Sequence, residues 1–214
     1  MFRQRFRIQF KKTGDIRFVG HADTMRAFER ALRRAGLPLG MSEGFNPHPR
    51  MSFPAPLAVG WEGLCEVMEF ELSDWNQPEE VARRLKSQLP PGLELVSVKL
   101  APPTGKAQAD EADYLVQPDG PDAPRVEPAK IQEFLSRQEV WSERQRKDRV
   151  KRDNIRPFVR DIGIEQDGSL RMRIAISPAG SARPDEILAA LGVGIDDARE
   201  HYRVLRTEVR LRLA

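Results

Sequence analysis

The sequence predicts an α+β chain of two tandem ferredoxin-like (βαββαβ) halves with antiparallel sheets, on three observations. Apolar patterns of strand and helix period follow one another as strand, helix, strand, strand, helix, strand over residues 1–101. Residues 102–128 are rich in proline and acid, the composition of a connector. The same succession of patterns recurs over residues 113–214, so the connector can already hold the first strand of the second half.

In the first half, Phe2–Phe10 alternates with period two. Phe2, Phe6, Ile8 and Phe10 share one face; Arg3, Arg5 and Arg7 share the other. Lys12–Asp15 reads as a turn. Met25, Phe28, Leu32 and Ala35 form an apolar stripe at helical spacing, predicting a helix over Ala22–Ala35 that Gly36 ends as a left-handed cap. A proline-laden strand is expected over Arg50–Leu57 and another over Glu66–Leu72, where Met68, Phe70 and Leu72 share a face and Val67 breaks the alternation. Pro78-Glu79-Glu80 puts proline and acids in the first turn of a helix running through Val81, Leu85 and Leu89. Leu93–Leu100 is the fourth strand.

The second half reads as a strand at Tyr114–Gln117, a helix at Pro128–Arg137 with Ile131 and Leu135 inward, and strands at Val140–Lys147 and Leu170–Ile176. A helix at Pro184–Leu191 and a strand at Val204–Leu213 complete it. Both helices of such a unit cover one sheet face. The sets Phe6/Ile8/Phe10, Met172/Ile174/Ile176 and Val209/Leu211/Leu213 are therefore expected against helices. Arg3/Arg5/Arg7, Arg171/Arg173 and Arg206/Arg210/Arg212 then line the open faces. Such rows suit a polyanion, or they pair with glutamates across strands.

Hydrophobic residues at 40% and charged residues at 31% of 214 fit a soluble globular protein. No apolar run is long enough for a bilayer, and Met1–Phe6 alternates apolar and basic residues where a signal peptide needs a continuous apolar core. A cytoplasmic protein without membrane contact is expected. Cys65 is the one cysteine, which excludes an internal disulfide and a Cys-only metal or iron–sulfur site. Glu66 and Glu69 beside it disfavour a reactive thiolate.

The net charge of +3 hides a segregation. Residues 1–50 carry eleven Arg/Lys against four Asp/Glu, residues 51–128 six against fourteen, and residues 129–214 eighteen against fourteen. Arginine dominates the basic set, favouring bidentate recognition of phosphate or carboxylate. The run Arg144–Arg152 holds six cations and one acid, suited to phosphate or to a solvated hairpin flanked by Glu143 and Asp153.

The stretch Gly44–Leu57 concentrates Asn46, His48, Arg50 and Ser52 among four prolines. Proline fixes φ and biases the preceding residue to extended geometry, so these polar groups are held before any ligand arrives. A stiff edge strand with a solvated His48 accounts for the same composition. His21 and His48 are the candidate acid–base residues, since imidazole titrates near neutrality. His21, Asp23 and His48 match no compact metal spacing and no glycine pattern cradles a nucleotide, so neither metal nor cofactor is expected.

Thr13–Phe18, His21–Arg26, Phe28–Pro38 and Gly44–Leu57 together resemble the radical-SAM-linked protein family of bacteria. The likeness is dense over residues 5–75 and returns at Val150–Phe158, similar to a Lys–Asp–Ile–Arg–Pro element of that family. Where family members tend to read Ser-His-Leu-Asp, this chain reads Gly20-His21-Ala22-Asp23, keeping the imidazole and carboxylate and losing the hydroxyl. In that family the domain is fused to, or encoded apart from, a cobalamin-binding radical SAM protein, which the resemblance implies as partner. It also groups residues: Arg17, His21 and Asp23 at a helix start, Asn46, His48 and Arg50 in the proline stretch, and Lys151, Arg152, Asp153 and Arg156 in the second half. These are expected to form one polar, anion-binding cleft between the halves. The function expected is a non-catalytic accessory domain that recognises RNA or a ribosomal or other ribonucleoprotein component. The alternatives are an RNA-processing or RNA-modifying enzyme using His21 or His48, and a purely structural interaction module.

Overall fold

The computed structural model describes residues 3–103, 105–146 and 149–212, with the backbone alone for Gln145, Arg146 and Arg149. The expectations on Phe2, Lys147 and Leu213 lie outside the described residues. The fold is mixed α+β, with few helices and mostly antiparallel sheet. Two compact units divide the chain, one over Met1–Ala109 with Leu211–Ala214 and one over Asp110–Arg210.

In the first unit, β1 (Gln4–Lys12) pairs antiparallel with β3 (Glu62–Leu72) on one side and β4 (Leu93–Leu100) on the other. β2 (Met51–Ser52) pairs with β3, giving the order β4-β1-β3-β2. α1 (His21–Arg34) and α2 (Pro78–Lys86) supply Phe28, Ala31, Leu32, Val81 and Leu85 to a core with Phe6, Ile8, Phe10, Met68, Phe70 and Leu72. Each fully buried apolar side chain contributes about 1.5–3 kcal/mol. Gly36 has φ +62° and the Leu37 N–H reaches the Leu32 carbonyl, the expected left-handed stop for α1.

The strand expected over Arg50–Leu57 shrinks to the two residues of β2, because Pro54 and Pro56 offer no N–H to a ladder. β3 extends to Glu62 and buries Val67 as well as Met68, since its second face is also covered.

In the second unit, β5 (Ala109–Pro118) pairs antiparallel with β9 (Leu170–Ser177) and neighbours β11 (Tyr202–Leu211). β9 also pairs with β8 (Val159–Ile164) and the short β10 (Gly180–Ser181). The helices are α3 (Pro128–Ser136), α4 (Pro184–Ala190) and α5 (Ile195–Glu200), the last not anticipated.

Two expectations are corrected here. The stretch from Val140 does not enter the main sheet: β6 (Trp141–Arg146) and β7 (Arg149–Asn154) form a two-stranded sheet of their own. Trp-Ser-Glu-Arg-Gln-Arg has no apolar alternation to bury, whereas Val159 and Ile162 of β8 are buried and take that place. Arg206 is not on an open face; it is buried on β11 at 3% exposure, in step with Tyr202 and Val204.

Candidate functional site

The proline stretch becomes a pinned loop on the first unit. Gly40 donates to the Glu71 carbonyl (2.8 Å), Arg50 N–H to the Gly40 carbonyl (2.8 Å), and Glu71 N–H to the Arg50 carbonyl (3.0 Å). A Cβ at Gly40 would sit 3.1 Å from the Glu71 Cβ, so the close approach favours glycine. Ser42 and His48 close the loop neck: Ser42 N–H donates to the His48 carbonyl (2.8 Å), and His48 N–H to Ser42 Oγ (2.9 Å). Beyond that neck Glu43–Pro47, Asn46 included, are exposed.

Beside the loop lies a cleft of about 470 Å³ bounded by Arg5, Glu43, His48, Arg50, Glu71 and Lys106. Glu71 Oε1 accepts from Arg5 Nη2 at 3.2 Å, and its Oε2 is buried without a hydrogen bond. Arg50 Nε donates to the Met41 carbonyl at 3.2 Å and lies 3.8 Å from Glu71.

Of the residues expected in one cleft, His48 and Arg50 line this one; Arg17, His21 and Asp23 do not. His21 opens α1 and sets its ring edge-on to Phe53, with centroids 5.1 Å apart. Asp23 pairs with Arg26 at 2.7 Å, an exposed pair one helical turn away. Arg17 lies over the Phe18 ring at 4.6 Å and 3.9 Å from Glu62.

Lys151, Arg152 and Arg156 belong to the second unit. Lys151 pairs with Asp153 at 2.8 Å, and the Arg152 guanidinium lies over the exposed Trp141 indole at 5.0 Å. Arg156 is structural: its fork donates to the Leu135 carbonyl (2.8 Å) at the end of α3 and to the Val159 carbonyl (2.9 Å). The β6–β7 register places Arg144 opposite Lys151 and Arg146 opposite Arg149.

The arginine rows on the sheets are matched by acids on neighbouring strands. Arg7 donates twice to Glu69, Arg5 to Glu71, and Arg173 and Arg210 both to Asp113. Burial pushes the Asp113 carboxyl up, but hydrogen bonds from Arg210 and Arg173 outweigh it and hold the group below the ordinary aspartate value. Sequence reasoning missed Glu71, Lys106 and Trp141 as site residues. The signal for the first was present: acids at alternate positions of β3 answer the arginines of β1.

Among the described residues no group of three or more His, Cys, Asp or Glu could hold a metal ion, and no helix is long and apolar enough to cross a membrane. Fold and sites together define a mixed α+β protein whose exposed polar sites are built chiefly from arginine, lysine and glutamate. The chain belongs to the bacterial family described as "Uncharacterized protein conserved in bacteria (DUF2344)", whose sequence profile matches residues 5–184. No curated protein matches it. Among solved structures it is similar to an unknown protein from Galdieria sulphuraria, at 11% identity and TM-score 0.31 over 99% of this chain and 100% of that one. It is similar to the acetolactate synthase small subunit of Thermotoga maritima at 9% identity and TM-score 0.30, over 100% of this chain and 99% of the other. A putative glycine cleavage system transcriptional repressor follows at 11% and 0.27, each chain covered to 100%.

Proposed function

We propose that this chain is a substrate-recognition domain, without a reaction of its own, that binds RNA or a ribonucleoprotein in the cytoplasm and presents it to a cobalamin-binding radical SAM partner. Its two units are then two ferredoxin-like halves, the second carrying the β6–β7 hairpin as an insert between its first helix and second strand. The partner rests on the resemblance carried by Thr13–Pro38 and Gly44–Leu57. With Cys65 as its one cysteine, the chain itself offers no three-cysteine cluster motif.

One observation carries the RNA reading. On the β6–β7 hairpin the Arg152 guanidinium lies over the half-exposed Trp141 indole at 5.0 Å, a stacking platform for an unpaired base with a cation upon it. Lys151, on the opposite face of the same strand, is exposed, and its surface pair with Asp153 is one that a phosphate can displace.

The test is fluorescence anisotropy with a labelled single-stranded RNA over a salt series. Affinity should fall with salt by a logarithmic slope of about 0.7 per phosphate neutralised. Arg152→Glu and Lys151→Glu should each weaken binding and flatten the slope. Absent or salt-insensitive binding would sink the RNA reading, and co-purification from the native host identifies the partner.

A further inference from the structure

We infer that the cleft of the first unit is a binding site for a phosphate monoester, whose phosphate displaces Glu43 from Arg50. This rests on residues separate from the hairpin and stands independently of the RNA reading.

The charge balance of the cleft carries it. Three guanidinium groups approach the single carboxylate of Glu71: Arg5 at 3.2 Å, Arg50 at 3.8 Å and Arg3 at 3.9 Å. Glu71 is largely buried and accepts from Arg5 through Oε1, yet its Oε2 has no hydrogen bond, so the Arg3 and Arg50 forks are not seated on that acid. Glu69, the other buried acid of the wall, is fully engaged: Oε1 accepts twice from Arg7, and Oε2 accepts the Ala107 N–H at 3.1 Å. Lys106 brings a further cation, on a segment tied down by that Ala107 bond and by the Gly105 carbonyl accepting from Arg5.

The remaining acid is Glu43, with its side chain 86% exposed, 3.3 Å from Arg3 and 3.8 Å from Arg50. An ion pair so exposed and so long is weak, and easily exchanged for a better anion. The free cleft therefore keeps a positive excess on side chains whose backbone is pinned at Gly40, Arg50 and Glu71. A tetrahedral dianion answers that excess better than a carboxylate, because it offers acceptors to Arg5, Arg50, Lys106 and His48 from different directions. The volume of about 470 Å³ also leaves room for the esterified group.

Isothermal titration of the full chain with phenyl phosphate tests the site. Arg50→Gln should weaken binding about tenfold or more, the worth of a charge-assisted hydrogen bond. Glu43→Gln, at an exposed position that leaves the fold intact, should tighten it about two- to fivefold by removing the competing acid. Arg152→Glu should leave it unchanged, which separates this site from the hairpin. An RNA dinucleotide with a 5′-phosphate that binds more tightly than phenyl phosphate, its 5′-hydroxyl form being silent, assigns the site to RNA ends; equal affinities assign it to small phosphate esters. No binding of phenyl phosphate by either the natural chain or Glu43→Gln, or binding indifferent to both substitutions, overturns the inference.

Discussion

Arg144 on β6 and Glu186 in the first turn of α4 form a bidentate pair in which the acid is the buried partner. Nη2 of Arg144 lies 2.8 Å from Glu186 Oε2, and Nε meets Oε1. The same Oε2 accepts the Arg183 N–H at 3.0 Å, so one carboxylate caps α4 and anchors the hairpin. The hydrogen bond to Glu186 raises the already high pKa of Arg144, which keeps the guanidinium charged.

Removing that acid leaves a partly buried guanidinium whose remaining hydrogen-bond acceptor among the described residues is the Ser181 carbonyl, 2.6 Å away. Glu186→Gln should therefore cost about 3 kcal/mol, the lower end for breaking a buried pair. The double variant Arg144→Met/Glu186→Gln should recover part of that loss in urea denaturation. Strictly additive losses would mean that the two side chains do not act together.

Asp113 predicts how stability depends on acid. Its carboxylate accepts from Arg210 at 3.0 and 2.5 Å and from Arg173 at 2.9 Å, and its pKa in the folded chain is lowered. A depressed carboxyl contributes stability that is present above the unfolded value of about 4 and lost as pH falls through the folded value. Asp113→Asn should flatten the acid limb of the stability curve below about pH 4 and cost about 1.5–3 kcal/mol at neutral pH. Thermal unfolding from pH 2 to 8 measures both; an unchanged acid limb contradicts the assignment.

Gly92 closes the turn between α2 and β4 with φ +86°, and its carbonyl accepts the Thr13 N–H at 2.9 Å. A Cβ there would lie 2.6 Å from the Thr13 carbonyl oxygen and 2.8 Å from Ile16 Cγ2. Gly92→Ala should cost at least about 1–3 kcal/mol, since strain and overpacking act together. Chemical denaturation showing no loss would mean the turn can relax without disturbing Thr13.

Strands and helices were legible where one physical signal dominated. The alternation from Gln4 to Phe10 fixed β1 and its buried face, Gly36 fixed the end of α1, and Pro78 the start of α2. Legibility failed where pattern and pairing part company. Val140–Lys147 has strand propensity but no apolar face, so only three-dimensional pairing separates a side hairpin from a sheet strand. Arg156 reads as an anion ligand because its hydrogen bonds to two backbone carbonyls leave no trace in sequence. The cleft was half legible: Pro47–Arg50 advertised a stiff polar loop, but Arg5, Glu71 and Lys106 reach it from distant parts of the chain.

His21 tests whether a histidine within a recognisable motif is chemical or structural. Its ring packs edge-on against Phe53, which in turn contacts Phe10 and Phe28, each at 6.1 Å between centroids. It therefore extends the aromatic cluster of the first unit towards solvent. A contact of that kind is worth about 0.5–1.5 kcal/mol, so His21→Ala should lower stability by that amount and His21→Phe should restore it. Neither change should alter RNA affinity or phenyl phosphate binding, because His21 lines neither the cleft nor the hairpin. An RNA-cleaving activity lost in both variants while His21→Phe keeps full stability would make the imidazole itself the working group, and the chain an enzyme.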